Sequence, residues 1–110
     1  MKNIVENNKL IAEFMGIIFT KDNKANHPRI HAPYPPIENF KYHADWNWLM
    51  EVVEKIESKG FDVFINTCVC RVTDVGEDRF EDIETFNSAS KIQAVYSAVV
   101  EFIKWYNEQK

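Results

Sequence analysis

The sequence predicts a single-domain α+β protein, an α-β-α sandwich in which helices lie on both faces of a small, mainly antiparallel sheet. Three observations favour this class: helical periodicity in three segments, an apolar strand segment in mid-chain, and a hairpin pattern that follows it. The chain has 110 residues, of which 45% are hydrophobic and 14% aromatic. This length and apolar content are typical of one domain, residues 1–110, with one core.

The first predicted element is a helix over Asn3 to Met15. Its apolar residues fall on one helical stripe, and Gly16 follows as a C-terminal cap. The next segment, Gly16 to Thr20, is too short for periodicity to decide between a strand and a simple exit from the helix.

A loop is predicted from about residue 21 to residue 39, because all four prolines lie there, at Pro28, Pro33, Pro35 and Pro36. Long loops of this kind are often either functional or mobile. His27 and His31 have the spacing of a helical metal pair, but the prolines disfavour the helix that would align them, so we interpret them as solvated. The residues that follow, Phe40 to His43, are a candidate short strand.

The second helix is predicted to begin after Asp45, a favoured N-cap residue, and to end at Gly60. Trp46, Leu49, Val53 and Ile56 form the stripe expected to face the core. Trp48 points about 200° away from Trp46. Either the proline-rich loop packs over Trp48, which we favour, or Trp48 is an exposed contact for a partner or ligand.

The segment Phe61 to Val75 is apolar at both odd and even positions, which predicts a central strand with helices on both sides. A turn around Gly76 then leads to an antiparallel partner that contains Ile83 and Phe86. Residues 74–84 contain six carboxylates and one basic residue, Arg79. Their net charge is −5, in a chain of net charge −4. The acidic strip either discourages pairing between sheet edges or competes for a basic protein surface.

The last helix is the clearest, with Ser90 and Gln93 as a candidate capping box. Its apolar stripe suits packing on a sheet and also allows a dimer seam, so a homo-oligomer is a possible assembly. The stripe consists of Ile92, Val95, Tyr96, Val99, Phe102, Ile103 and Tyr106, and Ala94, Ala98 and Trp105 widen it.

Catalytic, metal and cofactor sites are not indicated. Cys68 and Cys70 are interpreted as buried residues of one strand, too close in sequence for a good disulfide and too few for a metal site. A nucleophile pair of either cysteine with His43 is disfavoured because burial makes a thiol a poor nucleophile. Nucleic-acid binding is disfavoured by the net charge and by scattered basic residues. The N-terminus lacks an apolar run, so no membrane span is expected and a cytoplasmic location is predicted.

Three segments carry a resemblance to a family: "IAEFMG" at residues 11–16, "WNWLMEVVEKIESKG" at 46–60 and "SKIQAVYSAVVEFIKWYN" at 90–107. They resemble small uncharacterised proteins of phages and Bacteroidetes related to the phage ABA sandwich domain. The resemblance covers about half of the chain. It implies an α-β-α sandwich and no particular activity, and the loop before Tyr42 departs from the family pattern.

Three functions follow as hypotheses. The first is a non-enzymatic phage or prophage accessory protein that contacts a host or phage protein through Trp48 or through the hairpin carboxylates Glu81, Asp82 and Glu84. The second is a small-ligand domain with a pocket under the proline-rich loop, which Tyr34, Tyr42, His43 and Trp48 would line. The third is a cysteine-dependent enzyme or metal protein.

Overall fold

The computed structural model describes residues 4–19, 25–26, 40–74 and 82–108. In chain order the elements are α1 (Ile4–Phe14), β1 (Ile18–Phe19), β2 (Ala25–Asn26), α2 (Trp46–Ser58), β3 (Phe61–Asn66), β4 (Val69–Asp74), β5 (Ile83–Phe86) and α3 (Lys91–Glu108). The last three strands form an antiparallel sheet in the order β3-β4-β5. The predicted α+β class with an antiparallel sheet is confirmed.

Both predicted glycine caps are confirmed. Gly16 follows α1 with φ +92°. Its N–H donates to Glu13 O at 3.0 Å, and the next N–H, of Ile17, donates to Ala12 O at 3.0 Å, the bond pair of a Schellman cap. Gly60 ends α2 in the same left-handed region, at φ +95°. Glycine is the residue that adopts this conformation without a steric penalty.

The undecided segment after α1 contains a strand, since Ile18–Phe19 pairs with Ala25–Asn26 in a two-residue antiparallel ladder. The predicted loop therefore includes a short strand, β2. The rest of that loop, with the proline-rich part and its two histidines, lies outside the described residues.

The segment predicted as a strand at Phe40 to His43 is instead a turn that leads into α2. The Asp45 N–H donates to Lys41 O at 2.8 Å, and the Ala44 N–H donates to the same oxygen at 3.0 Å. Asp45 then caps α2 as predicted, because its Oδ1 accepts from the Asn47 N–H at 2.8 Å.

The role predicted for Trp46 is wrong, whereas Trp48 is covered, as favoured, although the proline-rich loop expected to cover it lies outside the described residues. Trp46, predicted to be core, is 38% exposed, whereas Trp48 packs against the core. The Trp48 ring centre lies 5.3 Å from that of Phe40 and 5.2 Å from that of Tyr42. The physical reason is that the turn before α2 folds back on the side of the helix that carries Trp48, and not on the side of Trp46. The buried residues of α2 are Leu49, Val52, Val53 and Ile56.

The predicted central strand is in fact a hairpin, β3 and β4, joined by the two-residue turn Thr67–Cys68. Residues directly opposite each other in antiparallel strands lie on the same face. Ile65 pairs with Cys70 and Val63 pairs with Val72, so the turn brings odd and even apolar positions onto one face.

The two-sided apolar pattern was the basis for expecting helices on both faces. Among the described residues, no helix lies over the opposite face of the sheet, which is exposed.

The core lies between the sheet and the helices. α3 crosses the sheet and contacts β4 and β5, while α2 contacts β3. The Thr85 hydroxyl of β5 donates to the Ala94 carbonyl of α3. Val95, Val99 and Ile103 of the α3 stripe are fully buried, so the chain uses in its own core the stripe that allowed a dimer seam. No helix among the described residues is long and apolar enough to cross a bilayer.

The capping box at the start of α3 is only half formed. The Gln93 N–H donates to Ser90 Oγ at 3.3 Å, as predicted. The Gln93 side chain does not return the bond, because Asn87 Oδ1 already accepts from the Ser90 N–H at 3.1 Å. Instead, Gln93 Nε2 donates to the His43 carbonyl at 3.2 Å, which ties α3 to the turn before α2.

Thr67, in the β3–β4 turn, has φ +37° and is the only described residue other than glycine with a positive φ. Because a residue with a Cβ is strained in this region, we expect Thr67→Gly to raise the free energy of unfolding by about 0.5–1 kcal/mol in urea titrations. Thr67→Ala is the matched control, because alanine also carries a Cβ, and it should give no gain. Equal effects of the two substitutions would contradict strain at Thr67.

Candidate functional site

The face of the sheet turned away from the helices, here called the outer face, is the most unusual surface of the described chain. Phe64 of β3 is 57% exposed and Phe86 of β5 is 68% exposed, although both are large apolar side chains. From the strand register, this face carries Asp62, Phe64, Asn66, Val69, Arg71, Thr73, Glu84 and Phe86. Two exposed aromatic rings on one sheet face are a feature of binding surfaces.

Arg71 lies at the centre of the outer face. In the strand register it pairs with Phe64 on one side and with Glu84 on the other. Its Nε and Nη2 both donate to Glu84 Oε2, at 2.9 and 2.6 Å. Because both side chains are about half exposed, this ion pair adds less than about 1 kcal/mol to folding. Its main effect is to fix the position of the guanidinium group toward β5.

A shallow cleft of about 410 Å³ opens at the β3 edge of the outer face. Its walls are Glu57 of α2, Asp62, Val63 and Phe64 of β3, and Arg71 and Thr73 of β4. Within the described residues neither Glu57 nor Asp62 has an ion-pair partner. The cleft therefore combines free carboxylates with an exposed aromatic ring.

The nearest lysines of α2 do not neutralise this cleft. Lys55 Nζ lies 5.4 Å from the centre of the Phe14 ring, and Lys59 Nζ lies 5.7 Å from the centre of the Tyr106 ring. Both ammonium groups are thus held over aromatic rings of the other two helices. Arg71, the one cation among the cleft walls, is paired with Glu84, so the two carboxylates of Glu57 and Asp62 give the cleft an acidic character.

The structure brings together three of the predicted binding residues, but as packed side chains. Tyr42 is buried and its ring contacts Trp48, while the His43 ring lies edge-on to Tyr96, with centres 6.2 Å apart. The described part of the predicted pocket is thus filled by protein. Tyr34 and Glu81 lie outside the described residues. Asp82 and Glu84 are exposed, and Glu84 belongs to the outer face, away from the aromatic group.

Asn8 is a residue that the sequence interpretation missed. It is the one buried polar residue of the described core, at 1% exposure. Its Nδ2 donates to Phe40 O at 3.0 Å and lies 3.0 Å from His43 Nδ1. Because an amide nitrogen only donates, His43 accepts at Nδ1. A signal was present in the sequence, since Asn8 stands between Ile4 and Ile11 on the apolar stripe of α1.

Tyr96 completes this polar cluster. Its hydroxyl donates to Asn8 Oδ1 at 3.0 Å. Burial raises the pKa of Tyr96 to about 12, so the hydroxyl keeps its proton and remains a donor at neutral pH. The cluster joins α1, the turn before α2 and α3 by hydrogen bonds, which is a structural role.

The two cysteines differ in their surroundings. Cys70 is buried on β4, as predicted, whereas Cys68 lies in the turn and is only partly buried. The prediction that both lie buried on one strand is wrong for Cys68, because the chain reverses there. Burial raises the pKa of the Cys70 thiol to about 11, which leaves it protonated and a weak nucleophile at neutral pH.

We expect one thiol of the folded protein to react with Ellman's reagent at pH 8 and the other to react only after unfolding. Cys68 is accessible, while Cys70 is buried and its raised pKa leaves on the order of one thiolate per thousand molecules at that pH. The measurement is the absorbance time course with and without denaturant. Cys68→Ser should abolish the fast phase, and two fast thiols in the folded protein would contradict the structure.

Comparisons of the chain with protein-family models, with curated proteins and with solved structures found no match. Within the described ranges, no group of three or more His, Cys, Asp and Glu side chains is placed to hold a metal ion. The chemistry of the outer face is therefore the basis for the functional proposal.

Proposed function

We propose that this protein acts by binding another protein through the outer face of its sheet, without catalysis. The observation that carries the proposal is the exposure of Phe64 and Phe86 on the same face, on either side of Arg71. Aromatic residues and arginine are the side chains that contribute most to the energy of protein interfaces.

The dimensions of the face suit such a contact. Phe64 and Phe86 lie two strands apart, and the register offsets them by two residues along the sheet. With strands about 4.8 Å apart and a rise of about 3.4 Å per residue, their backbones are separated by about 12 Å. Two aromatic anchors at this spacing, with an ion pair between them, can occupy the centre of a small interface.

The acidic residues of the hairpin have a place in this proposal. Glu84 lies on the outer face itself, and Asp82 is exposed just before β5. A carboxylate at the rim, such as Asp82, raises the rate of association with a basic partner and selects against acidic ones, while Glu84 is part of the central ion pair with Arg71. The sequence predicted the hairpin carboxylates as a contact for a basic protein surface. The proposed interface adds Phe64 and Phe86 to that contact.

The resemblance to phage proteins supplies the cellular setting of the proposal: a phage or prophage accessory protein in the cytoplasm, with a host or phage protein as its partner. The small-ligand alternative has less support, because Tyr42 and Trp48 pack against each other and against Phe40. Nothing in the described residues favours a cysteine-dependent reaction over this contact function.

Photo-crosslinking in the cells that encode the protein tests the proposal. Benzoylphenylalanine replaces Phe64 or Phe86, one at a time, and Trp46 in a control, because Trp46 is also exposed but lies on α2 away from the outer face. We expect positions 64 and 86 to crosslink to the same protein and position 46 to give no such product. The purified partner should then bind Phe64→Ala at least about tenfold more weakly than the unsubstituted protein.

Two results would contradict the proposal. One is the absence of crosslinks at both outer-face positions when position 46 does crosslink. The other is a partner whose affinity is unchanged by Phe64→Ala and Phe86→Ala together.

A further inference from the structure

In the part of the chain that the structure describes, the outer edge of β3 is available to another strand. β3 pairs with β4 on one side, and among the described residues no strand pairs with its other side. β3 spans Phe61–Asn66, and its edge from Asp62 to Asn66 contains no proline that would prevent pairing. An edge of this length is a template for β-augmentation, in which an extended segment of a partner adds to the sheet.

The side chains along this edge define what kind of segment fits. On the inner face Val63 and Ile65 are half-buried and apolar, so the added strand would place apolar residues there. On the outer face Asp62 and Phe64 come next to it. Opposite charges that face each other across two strands are favourable, as are cations over aromatic rings. The added strand would thus place basic residues on that face.

The cleft at the β3 edge also favours a basic residue in the added strand. A lysine or arginine beside Asp62 would extend its charged end toward Glu57, which lines the same cleft of about 410 Å³. Both carboxylates lack an ion-pair partner among the described residues, and the α2 lysines are held over rings elsewhere. Since Arg71 of the same cleft is paired with Glu84, a basic side chain would meet two carboxylates that have no ion-pair partner in the described part of the chain, while an acidic one would meet repulsion.

We propose that the partner contributes an extended segment of alternating basic and apolar residues, which pairs with the free edge of β3 and places a lysine or arginine in the cleft between Glu57 and Asp62. This inference rests on the proposed function, since it names the kind of segment that the outer face would bind. It adds to that contact the element that the partner pairs with, the edge of β3, and the sequence pattern of the partner's segment.

The test uses a defined probe, a capped peptide of about eight residues in which lysine and valine alternate, added to the isotope-labelled protein and followed by backbone amide NMR. We expect saturable shifts concentrated at β3. Two matched peptides serve as controls: one with glutamate in place of lysine, and one with proline in place of valine, which cannot form a ladder. Neither should produce these shifts.

Substitutions locate the charge contact. Glu57→Gln and Asp62→Asn should each weaken binding of the lysine–valine peptide about two- to fivefold, because each removes one exposed charge pair. Glu54→Gln, an exposed position on the same helix, should leave the affinity unchanged. Equal weakening by Glu54→Gln would show a general attraction to charge and overturn the proposal.

Two other outcomes would also overturn it: no saturable shifts at millimolar peptide, or equal binding of the proline-containing peptide. These failures are distinct from failure of the proposed function. Crosslinks at positions 64 and 86 together with a negative peptide result would retain the outer face as an interface and reject strand addition. Peptide binding without those crosslinks would retain strand addition at β3 and reject the wider interface.

Discussion

Asn8→Leu should lower the free energy of unfolding by about 3–4 kcal/mol, although leucine has the same number and branching of side-chain heavy atoms as asparagine. The substitution removes a donor from Phe40 O and from His43 Nδ1, and an acceptor from the Tyr96 hydroxyl. Loss of each buried hydrogen bond costs about 1–3 kcal/mol, partly offset by the apolar side chain gained. Urea unfolding followed by tryptophan fluorescence measures the effect.

A double-mutant cycle with Tyr96→Phe separates the hydrogen bond from packing. Alone, Tyr96→Phe should cost about 1–2 kcal/mol, because it leaves Asn8 Oδ1 without its donor. In the Asn8→Leu background it should cost nothing or stabilise, since it removes a hydroxyl that no longer has its Asn8 acceptor. Strictly additive effects would contradict the polar cluster.

Phe102→Ala should destabilise the fold by about 3–5 kcal/mol, the range for emptying a fully buried aromatic site. Phe102 has no exposed surface. Its ring centre lies 4.8 Å from that of Phe61 and 6.2 Å from that of Phe14. It also contacts Trp105 and Tyr106, each at 5.9 Å. The side chain thus joins α1, β3 and α3, and thermal and urea unfolding measure its loss.

Phe102→Leu is the second variant if the alanine variant does not fold, with an expected cost of about 1–2 kcal/mol. Phe64→Ala is the matched control, because it removes the same ring from the outer face, where more than half of it is exposed. Its cost should be below about 1 kcal/mol. Comparable costs at positions 64 and 102 would mean that the outer face is part of the core.

The helices and their ends could be predicted from local sequence. Asp45, Gly16 and Gly60 act through bonds to residues a few positions away, and the structure shows those bonds. The antiparallel pairing of β4 with β5 was also predictable, because charged turn residues separate two apolar segments. Local chemistry determines both features, so a single sequence is enough.

The layer structure depended on one turn that has no strong signal. Thr67 and Cys68 at the centre of the turn are neither glycine, asparagine nor proline, so Asn66 at its first position is the one local signal of the reversal between β3 and β4, and a weak one. If this turn is not recognised, residues 61–75 read as one strand with apolar residues on both faces, which predicts that both faces are covered. Across the two-residue turn, odd-numbered positions of β3 pair with even-numbered positions of β4. The apolar residues at odd and even positions therefore lie on one face.

The candidate site could not be predicted for the same reason. Phe64 and Phe86 look like core residues in a strand covered on both sides, and only the pairing register places them together on the exposed face. The tryptophan prediction failed in a related way: helical periodicity gives the angle between Trp46 and Trp48, but tertiary contacts with Phe40 and Tyr42 decide which of them is covered.

The most direct test of the outer face as a partner-binding surface is the reactivity of cysteines placed at positions 64, 86 and 46, one at a time, in a Cys68→Ser background. A membrane-permeant maleimide is applied to the purified protein and to the cells that encode it. The outer face predicts fast labelling at all three positions in the purified protein, and at least about tenfold slower labelling in cells at 64 and 86 only. Slow labelling at 64 and 86 in the purified protein, or equally fast labelling there in cells, would contradict it.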